Sequence, residues 1–288
     1  MQTFETSEKL IKECIKDLYL DPRNLILKWS KITNQTSQVR LAYPGQHLAS
    51  VITGIKGAGT AARGDDLSDG SEVKTCSRAD QLSECLSCGA KVLPWQKECP
   101  ICRSRNINIK TDSHWIFSIK SEAELDLLLN KVPRIILILF DRESIETEDI
   151  RLRAWVAYPK NEYVREFFRD YFYNNYMKKE NPAPCNLHPL KYDFFMMEPE
   201  LIFHAGINIE NRSVVIKYRD VVNPKLEEMP IKILKKDEIR EIFKEKLDDG
   251  MSIEEITQEF PYIPADKKKR LKMRKKILKT YKRRYRRR

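Results

Sequence analysis

The stretch GDDLSDGSEVKTC, residues 64–76, decides how the rest of the chain is read. Asp65, Asp66, Asp69 and Glu72 crowd with Lys74 around a Ser-Asp-Gly turn. Like charges facing each other destabilise a strand pair unless something binds them. Strand residues two apart share a face, so Glu72 and Lys74 point one way and Val73 points into the core. If Ser68-Asp69-Gly70 form a three-residue loop with Gly70 left-handed, Asp66 stands opposite Glu72, their β-carbons about 5 Å apart. If Asp69-Gly70 form a two-residue turn instead, Leu67 faces Glu72 and Asp65 faces Lys74. The order Ser-Asp-Gly suits two right-handed residues followed by glycine and favours the first arrangement.

Two carboxylates at that distance suit Mg²⁺, a hard cation held by one or two carboxylates plus water and phosphate. Asp66, Glu72 and the Val73 carbonyl are the expected ligands, with Asp65 and Asp69 as alternatives to Asp66. A lysine beside the cation, Lys74, can hold an attacking water and offset charge on a pentavalent phosphorus. That is chemistry for hydrolysing phosphodiesters.

Ten residues further on, Cys85-x2-Cys88-x10-Cys99-x2-Cys102 pairs two CxxC knuckles, the spacing of a Zn²⁺ ribbon. Gly89 follows the first knuckle directly. Four thiolates leave no coordination position for water, so zinc here is expected to be structural. Cys14, Cys76 and Cys185 have no partner at ligand spacing and read as buried thiols. His47, His114, His188 and His204 are scattered, with no pair at ligand spacing, and Gly57 and Gly59 lack the following Gly-Lys-Ser/Thr of a phosphate loop.

Apolar periodicity predicts a helix over 5–20 ended by Pro22, and a second over Gln46–Ile55 before a glycine-rich loop. HWIFSI (114–119) reads as a strand and residues 121–131 as a helix opened by a Ser-Glu capping box. RIILILF (134–140) reads as a buried strand, RLRAWVAY (151–158) as a further strand, and residues 161–179 as an aromatic-rich helix. The aromatic series in that helix reads as packing rather than base stacking.

The chain has 288 residues, 41% hydrophobic and 33% charged, with a formal charge of +11. Residues 267–288 hold 15 basic side chains and no acid, so the rest sums to about −4. A slightly acidic body with a very basic tail points to a polyanionic partner. No run reaches the roughly 20 apolar residues of a membrane helix, and the N-terminus has no signal pattern, so a cytoplasmic protein is expected. Residues 236–288 read as helix, turn, short helix, turn and basic helix, a helix-turn-helix-like module. Lys267, Lys268, Lys269, Arg270, Lys272, Arg274 and Lys275 are its expected DNA contacts.

Asp66…Glu72-Val73-Lys74 is similar to the Asp…(Asp/Glu)-x-Lys signature of the nuclease superfamily that holds most type II restriction endonucleases. The stretch QHLASVITGIKGAGTAARGDDLSDGSEVKTCSRADQ, the CxxC pair and CNLHPLKYDFFMMEP together resemble the MamI-type restriction endonucleases. The resemblance implies an α/β (α+β) core in the order helix, three antiparallel strands, helix, strand, with a mixed sheet flanked by helices. The core is expected over 1–235, with the zinc ribbon inserted at 85–102. The resemblance also implies Mg²⁺-dependent cutting of double-stranded DNA within an interrupted GAT…ATC palindrome, a homodimer, and a companion methyltransferase in a prokaryotic host. In such nucleases a helix near the site adds a contact to metal or water, which makes Gln46 a further candidate.

Overall fold

The computed structural model describes residues 1–33, 35–59, 65–93, 96–110, 112–142 and 147–228, with 233–234, 244 and 263–264 beyond them. The chain falls into two compact units, Met1–Glu227 and Glu228–Arg288. In the second unit only a short parallel pairing of Ile233–Leu234 with Ile263–Pro264 is described. The expected helix-turn-helix and its contacts, Lys267 to Lys275, lie outside the described residues.

The first unit opens with α1 (Glu8–Ile15), capped by the Ser7 hydroxyl, which accepts from the Leu10 N–H. A π-helical turn, Lys16–Leu20, leads directly into α2 (Asp21–Thr33). Pro22 therefore does not end the run, as the sequence suggested. The Asp21 N–H reaches back five residues to the Lys16 carbonyl, and this wider turn carries the chain past a proline that has no N–H to donate. Helix α3 spans Ala42–Thr53.

The strands are β1 (Glu72–Ser77), β2 (Ser83–Cys85), β3 (Lys91–Val92), β4 (Ile107–Asn108) and β5 (Trp115–Phe117). After α4 (Glu122–Asp126) come β6 (Ile135–Arg142) and β7 (Ile150–Ala157), then α5 (Glu162–Tyr171), β8 (Cys185–Leu187) and α6 (Tyr192–Met196). The last are β9 (Glu200–Asn208), β10 (Ser213–Arg219) and β11 (Lys225–Leu226). The capping box forms: the Ser121 hydroxyl accepts from the Glu124 N–H, and the Glu124 carboxylate accepts from the Lys120 N–H at 2.6 Å.

The main sheet has the order β1-β6-β7-β9-β10, with β11 also on β9. It is mixed, because β1 runs parallel to β6 while β6, β7, β9 and β10 are antiparallel neighbours. The three antiparallel strands expected ahead of the first crossover are therefore absent. Only β1 comes from that region, and the antiparallel run follows it. β6 is covered on both faces, which explains its unbroken apolar run.

Under one face of the sheet, α1 and α3 bury Ile11, Ile15, Leu48 and Ile52 against Val73, Ile136, Ile138 and Phe203. Over the other face the Trp115 ring lies 6.3 Å from Trp155 and 5.7 Å from Phe194, while Phe117 and Phe168 are 4.9 Å apart. Tyr163, Phe167, Phe168, Tyr171 and Phe172 are buried, which fits the packing role read from their spacing. Burying each such ring contributes roughly 1.5–3 kcal/mol. Arg23 on α2 meets Asp80 just after β1 in a bidentate pair, its Nη2 at 2.7 Å and its Nε at 2.9 Å. Burial alone would lower the Arg23 pKa, but the Asp80 carboxylate overrides it and raises it.

A candidate carboxylate–lysine site on the edge strand

The Ser-Asp-Gly loop forms as expected. Gly70 is left-handed with φ 86°. Its N–H donates to the Leu67 carbonyl at 2.9 Å, and the Leu67 N–H donates to Ser71 at 3.2 Å. Regular pairing stops there, so no second strand faces β1. Upstream of the loop there is one antiparallel bridge, between Gly57 and Leu67.

The next free strand N–H, that of Val73, is taken by a side chain: the Asp66 carboxylate accepts it at 2.7 Å. β1 is an edge strand, and the neighbouring Glu72 N–H points inward to the Arg134 carbonyl at 3.1 Å. The N–H and C=O of one strand residue point to the same side. The Val73 carbonyl therefore projects to the edge that Asp66 occupies.

Gln46 on α3 donates from Nε2 to the other Asp66 oxygen. The two contacts hold the Asp66 carboxyl from both sides. Glu72 and Lys74, two apart on β1, are ion-paired and each about a quarter exposed. The Lys74 ammonium stands 5.6 Å from the centre of the Phe117 ring, a cation–π contact that aims it along the sheet face. The structure thus brings Gln46, Asp66, Glu72, Val73 and Lys74 to one sheet edge. Two carboxylates and an adjacent carbonyl make an oxygen donor set that fits a hard divalent cation.

Asp69 is engaged elsewhere. One oxygen accepts from the Ser71 N–H at 3.0 Å and the other meets Arg134 at 2.9 Å, so it braces the turn. Asp65 is exposed at the head of the segment.

The four cysteines of the CxxC pair form a second cluster, with all their sulfur atoms within 4.8 Å of one another. Cys85 and Cys102 are 3.5 Å apart, as are Cys88 and Cys99. Metal–sulfur bonds of about 2.3 Å in a tetrahedron separate the sulfurs by nearly 4 Å, so the spacing fits a single ion. Strands β2, β3 and β4 form the small sheet beneath it. Burial raises the Cys85 thiol, but the Ser87 and Cys88 amides more than offset this and bring it down to about 6. Cys76 and Cys185 are buried thiols as expected, and burial pushes Cys76 up to about 12.

The histidines hold one surprise. His114 and His188, 74 positions apart, stack with ring centres 5.0 Å apart because β5 pairs with β8. Sequence spacing could not have shown this pair.

The chain belongs to the MamI restriction endonuclease family, whose model matches residues 28–236 and so takes in both clusters. Among characterised proteins it is similar to the Type II restriction enzyme MamI of Microbacterium ammoniaphilum, with 36% identity over 75 residues. That segment is 26% of this chain and 24% of the relative's length. No solved structure matches the chain. Among the described residues, no helix is long and apolar enough to cross a membrane.

Proposed function

We propose that the chain is a Mg²⁺-dependent type II endonuclease that hydrolyses double-stranded DNA at a palindromic or interrupted palindromic site. One observation carries this reading: in a restriction endonuclease family member, Asp66 is fixed on the Val73 N–H beside the Glu72–Lys74 pair. Asp66, Glu72 and the Val73 carbonyl would hold Mg²⁺. When bound there, the ion polarises a phosphoryl oxygen and lowers the pKa of the attacking water. Gln46 keeps the Asp66 carboxyl in its orientation. Lys74 donates hydrogen bonds to the water and to the phosphate oxygens, which positions in-line attack and offsets charge on phosphorus. Phe117 limits where the lysine can swing.

The four-cysteine module takes Zn²⁺ in a structural role and stiffens a ribbon carrying Lys91, Lys97, Arg103 and Arg105 toward DNA. Residues 236–288 act as the helix-turn-helix-like module, and the basic segment from Lys267 grips phosphates through counterion release. A homodimer matches the two-fold symmetry of the site. The enzyme works in the cytoplasm of a prokaryote, where a companion methyltransferase protects host DNA.

The test is incubation of unmethylated phage DNA with Mg²⁺ and either the wild type or Glu72→Ala. Discrete fragments that require Mg²⁺ and vanish in the variant support the reading. Fragments that persist in Glu72→Ala move the site off β1. Uncut but gel-retarded DNA replaces the enzyme with a DNA-binding regulator.

A further inference from the structure

Helix α2 is inside out. Its buried positions are Arg23, Leu27 and Ser30, of which Arg23 is only 2% exposed. Both polar groups have specific partners within the fold: Arg23 pairs with Asp80, and the Ser30 hydroxyl donates to the Thr36 carbonyl at 2.9 Å. The large apolar side chains point outward. Leu25 is 61% exposed, Trp29 56% and Ile32 67%. Spacings of four and three residues put all three on one stripe of the helix. The buried ion pair fixes the rotation of α2, so the stripe cannot turn inward without breaking it. Isolated exposed apolar residues are ordinary, but a continuous stripe of this kind marks a contact surface.

We propose that the Leu25–Trp29–Ile32 stripe of α2 is the dimer interface of this protein, packed against the same stripe of a second copy. The spacing of the three residues is what selects a second copy. A two-fold axis passing beside Trp29 sets Leu25 opposite the partner's Ile32 and each Trp29 beside the other. An isologous contact needs such a self-complementary pattern. The helices then run antiparallel, with the N-terminal dipole of each beside the C-terminal dipole of the other. The stripe holds no charge, so it offers nothing to a phosphate backbone. Lys28 flanks it, 5.9 Å from its own Trp29 ring, and remains in water at the rim. The choice of a second copy draws on the endonuclease reading, in which a palindrome is cut by two copies of the Glu72 site; the exposed stripe itself does not.

The experiment is sedimentation velocity of the full chain over a concentration series, for wild type and for Leu25→Glu/Ile32→Glu. Thermal unfolding of both is followed at low concentration. A dimeric wild type and a monomeric variant with an unchanged low-concentration melt are expected. A monomeric wild type overturns the proposal, and so does a variant that remains dimeric. A monomeric wild type whose variant melts lower assigns the stripe to a segment of the same chain, which also overturns it. Sedimentation does not depend on cleavage, so a dimer broken at α2 in a protein that cuts no DNA leaves the interface standing and removes the nuclease reading alone.

Discussion

Gly45 of α3 rests directly on Thr75 of β1: a Cβ built on the glycine would overlap the Thr75 hydroxyl and stand 2.7 Å from its Cβ. This contact sets how closely α3 approaches the strand that carries Glu72 and Lys74. Gln46 is the next residue, and only at this separation does its amide meet Asp66. A glycine inside a helix costs about 1 kcal/mol relative to alanine, so its presence points to a packing demand.

Gly45→Ala is therefore expected to destabilise the protein by about 1–3 kcal/mol despite the better helix former, because the overlap forces α3 outward. Cleavage should fall further than stability does, since Gln46 moves with the helix. Adding Thr75→Ala should restore part of both, as expected for residues in contact. Urea unfolding and single-turnover cleavage of the four proteins check this. Additive effects of the two substitutions would sink the argument.

Gln46→Ala removes one of the two groups that hold Asp66. Loss of a group that orients a ligand typically costs about 10–100-fold in metal affinity or activity. Gln46→Ala is expected to need more Mg²⁺ for half-maximal cleavage while melting close to the wild type. Gln46→Glu should be worse, because it sets a second carboxylate against Asp66. A Mg²⁺ titration of the cleavage rate separates these outcomes from a general loss of fold.

Local signals were legible in the sequence and pairing between distant segments was not. The apolar run of β6, the alternation of β7, the Ser121 cap and the left-handed Gly70 all appear, because each depends on neighbouring residues. The parallel partnership of β1 with β6 joins residues 63 apart, and no local pattern encodes it. Asp66 and Glu72 were read as cross-strand partners. What brings Asp66 to the edge is a side chain taking over a strand hydrogen bond, which a count of turn residues does not reveal. Arg23 looked like a solvated charge until its partner Asp80 was seen. The apolar spacing of Leu25, Trp29 and Ile32 was visible, but sequence alone gives no reason for such a stripe to face water.

The two cysteine knuckles have the same backbone turn with different residues at the critical point. After Cys88, Gly89 has φ 72° and after Cys102, Arg103 has φ 60°. Each donates its N–H to the first cysteine of its knuckle, at 2.8 and 3.0 Å. A left-handed conformation costs a residue with a side chain roughly 1–2 kcal/mol, and glycine avoids that cost. Arg103→Gly is expected to slow zinc release to a chelator, whereas Cys99→Ser should hold less than one zinc per chain. Atomic absorption and a colorimetric chelator assay measure the two. Equal release rates for wild type and Arg103→Gly would mean that the turn does not strain the site.

The His188 imidazole is expected to make stability depend on pH below neutrality. Burial lowers its pKa to about 4, with Lys191, His114 and Arg78 adding to the effect and Asp112 opposing it. Its Nδ1 atom is buried with no hydrogen-bond partner among the described residues, so the folded state offers nothing to stabilise a proton there. Above about pH 6.5 the ring is neutral whether the chain is folded or unfolded and contributes no slope. Between about 6.5 and 4 the unfolded chain binds a proton that the folded chain refuses, so stability falls as pH falls. Below about 4 both states are protonated and the loss is complete. Urea midpoints measured from pH 7 to 4 should decline more steeply for the wild type than for His188→Gln. Parallel curves would assign the acid sensitivity to other groups.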